Sequence, residues 1–220
     1  MTADTDESGD APRRRDAGAT REAILNSAIE AFTRLGYDGA GVREVAGGAG
    51  VTAMLVNRYF GSKEQLFAEA VDRSFAPRTV VSDDPSVLSE QTATRLAART
   101  APEADDLDPF VLMLRSVANP RAAEIIRAGI EKHVGRHLTD SLPGPDAAPR
   151  AELLLSLIAG VWLMRKVIAT PALTGMDQGA LTRQLRDLMN ALVTAPPATS
   201  GGDAAPDATS PGARPHRPSE

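Results

Sequence analysis

Apolar residues recur along this chain at the spacing of helices. Ile24, Ala28 and Phe32, beside Leu25 and Ile29, form a stripe at i, i+4 and i+8. Thr20 can cap its start and Gly36 its end. Val42, Val45 and Ala46 predict a short second helix, weakened by Gly47 and Gly48, each by about 1 kcal/mol relative to Ala. A third short helix is predicted from Thr52 to about Phe60. A fourth opens on Ser62-Lys63-Glu64-Gln65, a capping box, and continues through Leu66, Phe67, Ala70 and Val71. Beyond a less regular stretch after Pro77, helices are expected at about 86–100, 107–118, 120–141, 147–169 and 178–194. Prolines at 85, 102, 109, 120, 143, 145 and 171 punctuate them. No run alternates with period two for long, so the predicted fold class is all-α.

The pattern divides the chain into four parts. Residues 1–17 and 196–220 are poor in periodic apolar positions and are expected to be a disordered arm and a disordered tail. Between them lie a small three-helix domain, 18–78, with a helix-turn-helix at about 41–60, and a larger helical-bundle domain, 79–195.

Composition narrows the chemistry. Aromatics make up only 4% of the chain, so the core is aliphatic, which favours packed helices. There is no cysteine, which excludes disulfides, thiolate metal sites and a cysteine nucleophile, and fits a reducing cytoplasm. The apolar run Leu153 to Met164 is interrupted by Ser156 and Gly160 and ends at Arg165-Lys166. It reads as a buried helix too short for a bilayer. The net charge is −5, yet between Arg13 and Lys63 eight cations stand against five anions. A locally positive segment on an acidic body can still be steered to phosphates.

The segment Gly41 to Phe60 carries the main signal: short helix, tight turn at Ala49-Gly50-Val51, short helix. In the third helix Thr52, Val56 and Phe60 share one face. Met54 and Arg58 fall opposite, flanked by Ala53 and Asn57. An inward apolar stripe with such an outward face suits a helix that reads a DNA groove. Asn bonds adenine, Arg bonds guanine or phosphate, and Ala and Met touch a thymine methyl. Spacing alone is equally consistent with a polar surface helix. Ser62 and Lys63 tilt the balance, because a helix start offers free N–H groups and a cation to a phosphate.

Residues 21–67 resemble the DNA-binding domain of the TetR family of transcriptional regulators. The resemblance is carried by Arg21, Ile24-Leu25, Ala28, Phe32, Gly36-Tyr37, Val42, Val45-Ala46, Ala49-Gly50-Val51-Thr52, Val56, Tyr59-Phe60, Lys63 and Leu66. It implies that Arg43, Thr52, Tyr59 and Lys63 contact the phosphate backbone of double-stranded DNA. It makes Ala53, Met54, Asn57 and Arg58 candidate base readers. Ala40 and Gly41 replace two threonines usual in the family, and Met54 and Asn57 replace its frequent small residue and tyrosine, so the operator is not carried over. Arg13-Arg14-Arg15 suits a minor-groove arm or a solvated tail.

In the C-terminal part, residues 150–168 are apolar nearly all round, and Leu181, Leu185, Leu188 and Leu192 form a narrower stripe. The resemblance implies that these two helices pair with their symmetry copies in a homodimer. Phe110, Met113, Leu114, Val117, Ile126, Ile130 and Trp162 are candidate walls of a pocket for a small apolar or amphipathic effector. Arg115, His133, His137 and Arg165 are its candidate polar handles. His133 and His137, spaced i, i+4, lack a third metal ligand, and Glu103, Asp105, Asp106 and Asp108 read as a solvated linker. No cofactor is implied. No paired carboxylates, Ser-His-Asp arrangement or phosphate loop supports the alternative of an all-α enzyme; a helix-turn-helix interaction module without effector sensing is the other. The expectation is a repressor that binds a palindromic operator as a dimer and is released by its effector.

Overall fold

A computed structural model describes residues 10–76, 81–82, 84, 87–102, 104, 109–144 and 146–194, with side chains from Ala17 onward. The described residues form helices joined by short turns, with no strand among them. Helix α1 (Asp10–Gly39) starts well before the predicted Thr20 cap and carries the backbone of Arg13-Arg14-Arg15, which the sequence pattern places in a disordered arm. Residues 1–9, the acidic cluster at 103 and 105–108, and the tail from 195 on lie outside the described residues.

Helices α2 (Val42–Gly48), α3 (Ala53–Phe60) and α4 (Lys63–Phe75) complete the predicted N-terminal set. Their apolar faces meet α1 in a core of Ile24, Ala28, Phe32, Val45, Ala46, Val56, Phe60, Leu66 and Phe67. Phe32, Tyr37 and Phe67 form an aromatic cluster, with Phe67 edge-on to both other rings at 4.9 Å between centroids. This core does not stop at the predicted domain boundary. Leu112 of α6 (Pro109–Ser116) and Ala122 and Ile126 of α7 (Pro120–Ile130) belong to it.

The continuation rests on a break in α1. Gly36 has φ 70° and ψ 176°, which interrupts the helix and frees backbone groups around it. Helix α6 supplies their partners. The buried Ser116 hydroxyl accepts from Tyr37 N at 3.0 Å, and the Arg115 guanidinium donates to the carbonyls of Thr33, at 3.1 Å, and Arg34. The Asn119 amide donates to Asp38 at 2.8 Å, so the end of α1 is tied to the end of α6.

A second core joins α5 (Leu88–Arg99), α8 (Arg136–Ser141), α9 (Ala147–Trp162) and α11 (Gln178–Val193) through Leu88, Leu96, Leu138, Leu154, Ile158, Trp162, Leu185 and Met189. The predicted long helices 120–141 and 147–169 are present, but each contains a widened π-helical turn, Glu131–Gly135 and Leu163–Val167. A short helix not predicted, α10 (Pro171–Thr174), follows Pro171. With its π turn, α9 runs Ala147–Val167, so by length and composition it is long enough to cross a membrane, contrary to the reading of its apolar run. Two of its arginines nevertheless act as packed structural groups. Arg150 is buried and donates to the carbonyls of Leu192, at 3.1 Å, and Val193, at 3.3 Å, closing the end of α11. Arg165, also buried, does the same for α5.

The two cores meet where α4 packs on α7 and its π turn. Gly129 lies so close to α4 that a Cβ there would come within 2.6 Å of Val71. Asp72 of α4 takes a 2.6 Å bond from Lys132 and a 2.9 Å bond from His133. Burial opposes ionisation of Asp72, but the hydrogen bonds and charges of Lys132 and His133 outweigh it and hold the carboxyl below its ordinary value.

Two outcomes are expected. Gly36→Ala combines a left-handed backbone with a Cβ that would lie 2.3 Å from the Arg115 carbonyl oxygen, so it should destabilise folding by about 2 kcal/mol or more in denaturant titration. Because the folded pKa of Asp72 is lowered, its stabilisation is present above the unfolded carboxylate pKa of about 4 and is lost as pH falls through the folded value. Asp72→Asn should therefore lower stability at pH 7 by at most about 1 kcal/mol, the pair being partly exposed, and the gap to the parent should close in acid.

Candidate nucleic-acid interface and ligand cavity

Helices α2 and α3 are too short to stand alone in water and are held by what they pack against. The turn between them needs Gly50 at φ 66°, and it is closed by Val51 N donating to the Ala46 carbonyl at 2.9 Å. Ser27 of α1 fixes α2 by donating to the Val45 carbonyl at 2.9 Å. On α3, Val56 and Phe60 are buried against α1 and α4. Thr52 does not share that inward face. It is exposed and its hydroxyl caps the helix, accepting from Leu55 N at 3.4 Å.

The opposite side of α3 is open. Met54 is 80% exposed, Asn57 and Arg58 are exposed, and Ala53 and Tyr59 are half-buried at its margins. Arg43 is exposed on α2. Gly61, at φ 76°, ends α3, and Ser62 caps α4 by accepting from Gln65 N at 3.2 Å. Lys63 therefore stands at the first position of α4, its ammonium 4.7 Å from the Tyr37 ring centroid and 3.5 Å from the Asp38 carbonyl. Arg43, Met54, Asn57 and Arg58 thus offer cations, an amide and a thioether to solvent from α2 and α3, with Lys63 at the start of α4. Two neighbouring cations are already engaged: Arg21 with Glu69 and the Phe60 ring, and Arg34 with Glu44.

The candidate pocket residues separate. Phe110, Met113 and Ile130 line an apolar cavity of about 100 Å³, together with Phe75, Leu155 and Ile158 among others. Trp162 stands behind Phe110, stacked at 5.1 Å between ring centroids. Leu114 and Val117 are exposed and line other grooves, Leu114 beside α1 and Val117 toward α7 and α9. Ile126 is part of the first core. The polar handles do not face the cavity. Arg165 donates to the Ala97 carbonyl at 2.7 Å and the Thr100 hydroxyl at 2.9 Å, Arg115 clasps α1, and His133 bonds Asp72. Sequence reasoning missed Phe75, Leu155 and Ile158 as walls, since nothing in local spacing brings α4, α6, α7 and α9 together.

Residues 24–70 match bacterial regulatory proteins of the tetR family, and residues 87–193 match the tetracyclin repressor-like C-terminal domain. Over 64 residues the chain is 31% identical to the HTH-type transcriptional repressor NicS of Pseudomonas putida, a match covering 29% of this chain and 30% of that protein. Over 86 residues it is 41% identical to the HTH-type transcriptional regulatory protein RaaS of Mycobacterium tuberculosis, covering 36% of this chain and 40% of that one. The matched stretch thus spans less than half the length of either curated relative. The crystal structure of the multidrug binding protein EbrR complexed with proflavin superposes with a TM-score of 0.55 at 20% identity, over 79% of this chain and 99% of that one.

The assignment of Arg165 to the helix framework has a direct consequence. Arg165→Met leaves the Ala97 carbonyl near the end of α5, the Leu173 carbonyl and the Thr100 hydroxyl without this donor inside the body, at a cost of about 2–3 kcal/mol. A fall in melting temperature is expected. Selective loss of ligand binding with stability intact would return Arg165 to the pocket.

Proposed function

The chain belongs to the TetR family of bacterial transcriptional regulators, and on that premise we propose that it is a repressor that binds a palindromic operator as a homodimer and is released by a small-molecule effector. The observation that carries the reading is the outward face of α3, where Met54, Asn57 and Arg58 are exposed while Val56 and Phe60 anchor the helix. Asn57 and Arg58 are the base readers, with Ala53 and Met54 beside them for thymine methyl contact. Arg43, Thr52, Tyr59 and Lys63 hold the backbone on either side. Lys63 is fit for this role because a phosphate can replace its contacts with the Tyr37 ring and the Asp38 carbonyl. A regulator of this kind works in the cytoplasm, on DNA, and is not an enzyme.

Dimerisation is supported by the faces that α9 and α11 leave uncovered. Leu153 and Leu188 are each 55% exposed, and Met164 and Ile168 add apolar surface at the end of α9. The leucine stripe of α11 contributes less to this face than its spacing suggests, because Leu181 and Leu185 are buried in the core of their own protomer. Two-fold pairing here sets two α3 helices against two half-sites.

The effector pocket is the apolar cavity. Phe110 and Met113 form its wall on α6, and the same helix carries Arg115 and Ser116, which grip α1. A ligand that prefers a wider cavity displaces α6 and, through that grip, the DNA-binding head.

Gel shift against palindromes flanking its own gene tests the reading. Asn57→Ala or Arg58→Ala is expected to lower specific binding by about 1–3 kcal/mol and relax the sequence preference. Lys63→Ala should weaken all sequences alike and reduce the salt slope by about 1. Equal loss on all sequences for Asn57→Ala and Arg58→Ala would remove α3 as the reading helix.

A further inference from the structure

We propose that the apolar cavity and the groove beside it form one site for a short amphipathic cation, its hydrocarbon part in the cavity and its ammonium in the groove; the inference rests on the reading of the cavity as the effector pocket. Size sets the hydrocarbon part. An engineered apolar cavity of about 150 Å³ holds benzene, so a cavity of about 100 Å³ takes a smaller group, such as the inner part of a short alkyl chain. Among the described residues Ser74 is the one polar side chain that lines it, so they offer a charged end little to bond there.

The cavity and the groove lie against each other and share walls. Met113, Ile130 and Leu155 line both the cavity and a groove of about 680 Å³ between α7, α8 and α9. Met113, unbranched and flexible, is suited to shift between an empty and a filled cavity. Five charged side chains line the groove. Arg136 bonds Glu131 at 3.3 Å, and that pair is internally neutral. Arg127 on α7 faces the groove with Asp140 on α8 and Glu152 on α9, and none of these three forms an ion pair among the described residues. The balance left over is negative, with both carboxylates on the α8–α9 bank. A cation emerging from the cavity is attracted, and an anion is repelled.

Trp162 supplies the readout. It is the only tryptophan in the chain, buried and stacked on the cavity wall Phe110, so its emission responds to filling. Pentylamine, pentan-1-ol and pentanoate share a tail and differ in the charge of the head. They are titrated into the full chain at pH 7 and low salt, where groove charges are least screened. Binding is followed by Trp162 emission and by melting temperature. The expected result is pentylamine binding about five-fold or more tighter than pentanoate, with pentanol between. In an Asp140→Asn, Glu152→Gln double variant the ratio should fall toward one while pentanol binding is unchanged. Glu30→Gln, on α1 and outside this groove, should leave the ratio intact. Equal binding of the three, preference for pentanoate, or a preference that survives the double variant overturns the inference and leaves the cavity as effector pocket. No binding of any of them overturns both.

Discussion

The left-handed break at Gly36 is the constraint on which the architecture turns. It breaks the helical geometry of α1 one turn before its end. There the Ser116 hydroxyl of α6 accepts from Tyr37 N and Arg115 donates to the Thr33 and Arg34 carbonyls, so the break is met by groups of the body. The joint is therefore polar and directional, while the apolar core runs on beneath it through Leu112, Ala122 and Ile126. A joint of this kind resists sliding, because each carbonyl and hydroxyl has a fixed partner.

The same device recurs in the body. Arg150 closes the end of α11 and Arg165 closes the end of α5, each with a buried guanidinium on backbone carbonyls. Arginine suits the task, since its fork satisfies several acceptors at once and its charge favours the negative end of a helix. Helix ends that would otherwise need water are thereby placed inside the protein. The π turn at Leu163–Val167 carries Arg165 within this region, and the π turn at Glu131–Gly135 presents Lys132 and His133 to Asp72. The irregular turns thus sit where polar groups are joined between helices.

Helix α3 shows how much of the candidate interface was legible. The four-residue spacing of Val56 and Phe60 was enough to orient it, and that orientation exposes Met54, Asn57 and Arg58. Thr52, assigned to the same inward stripe, instead caps the helix, because an N-cap residue has extended backbone and leaves the helical periodicity. The cavity was legible only in part. Phe110, Met113 and Ile130 belong to it, but Arg165, a candidate polar handle, donates to the Ala97 carbonyl of α5 instead.

Periodicity, capping residues and proline placement determined the helices, their order and the outward face of α3, because these depend on contacts within a few residues along the chain. The resemblance in residues 21–67 pointed to the family from that local information. Which helix ends face one another was decided by the tertiary structure alone. A guanidinium reads the same in sequence whether it meets a ligand, a phosphate or a carbonyl many residues away. The joint at Gly36, the arginine closures and the walls of the cavity all depend on such distant partners, and packing chooses them.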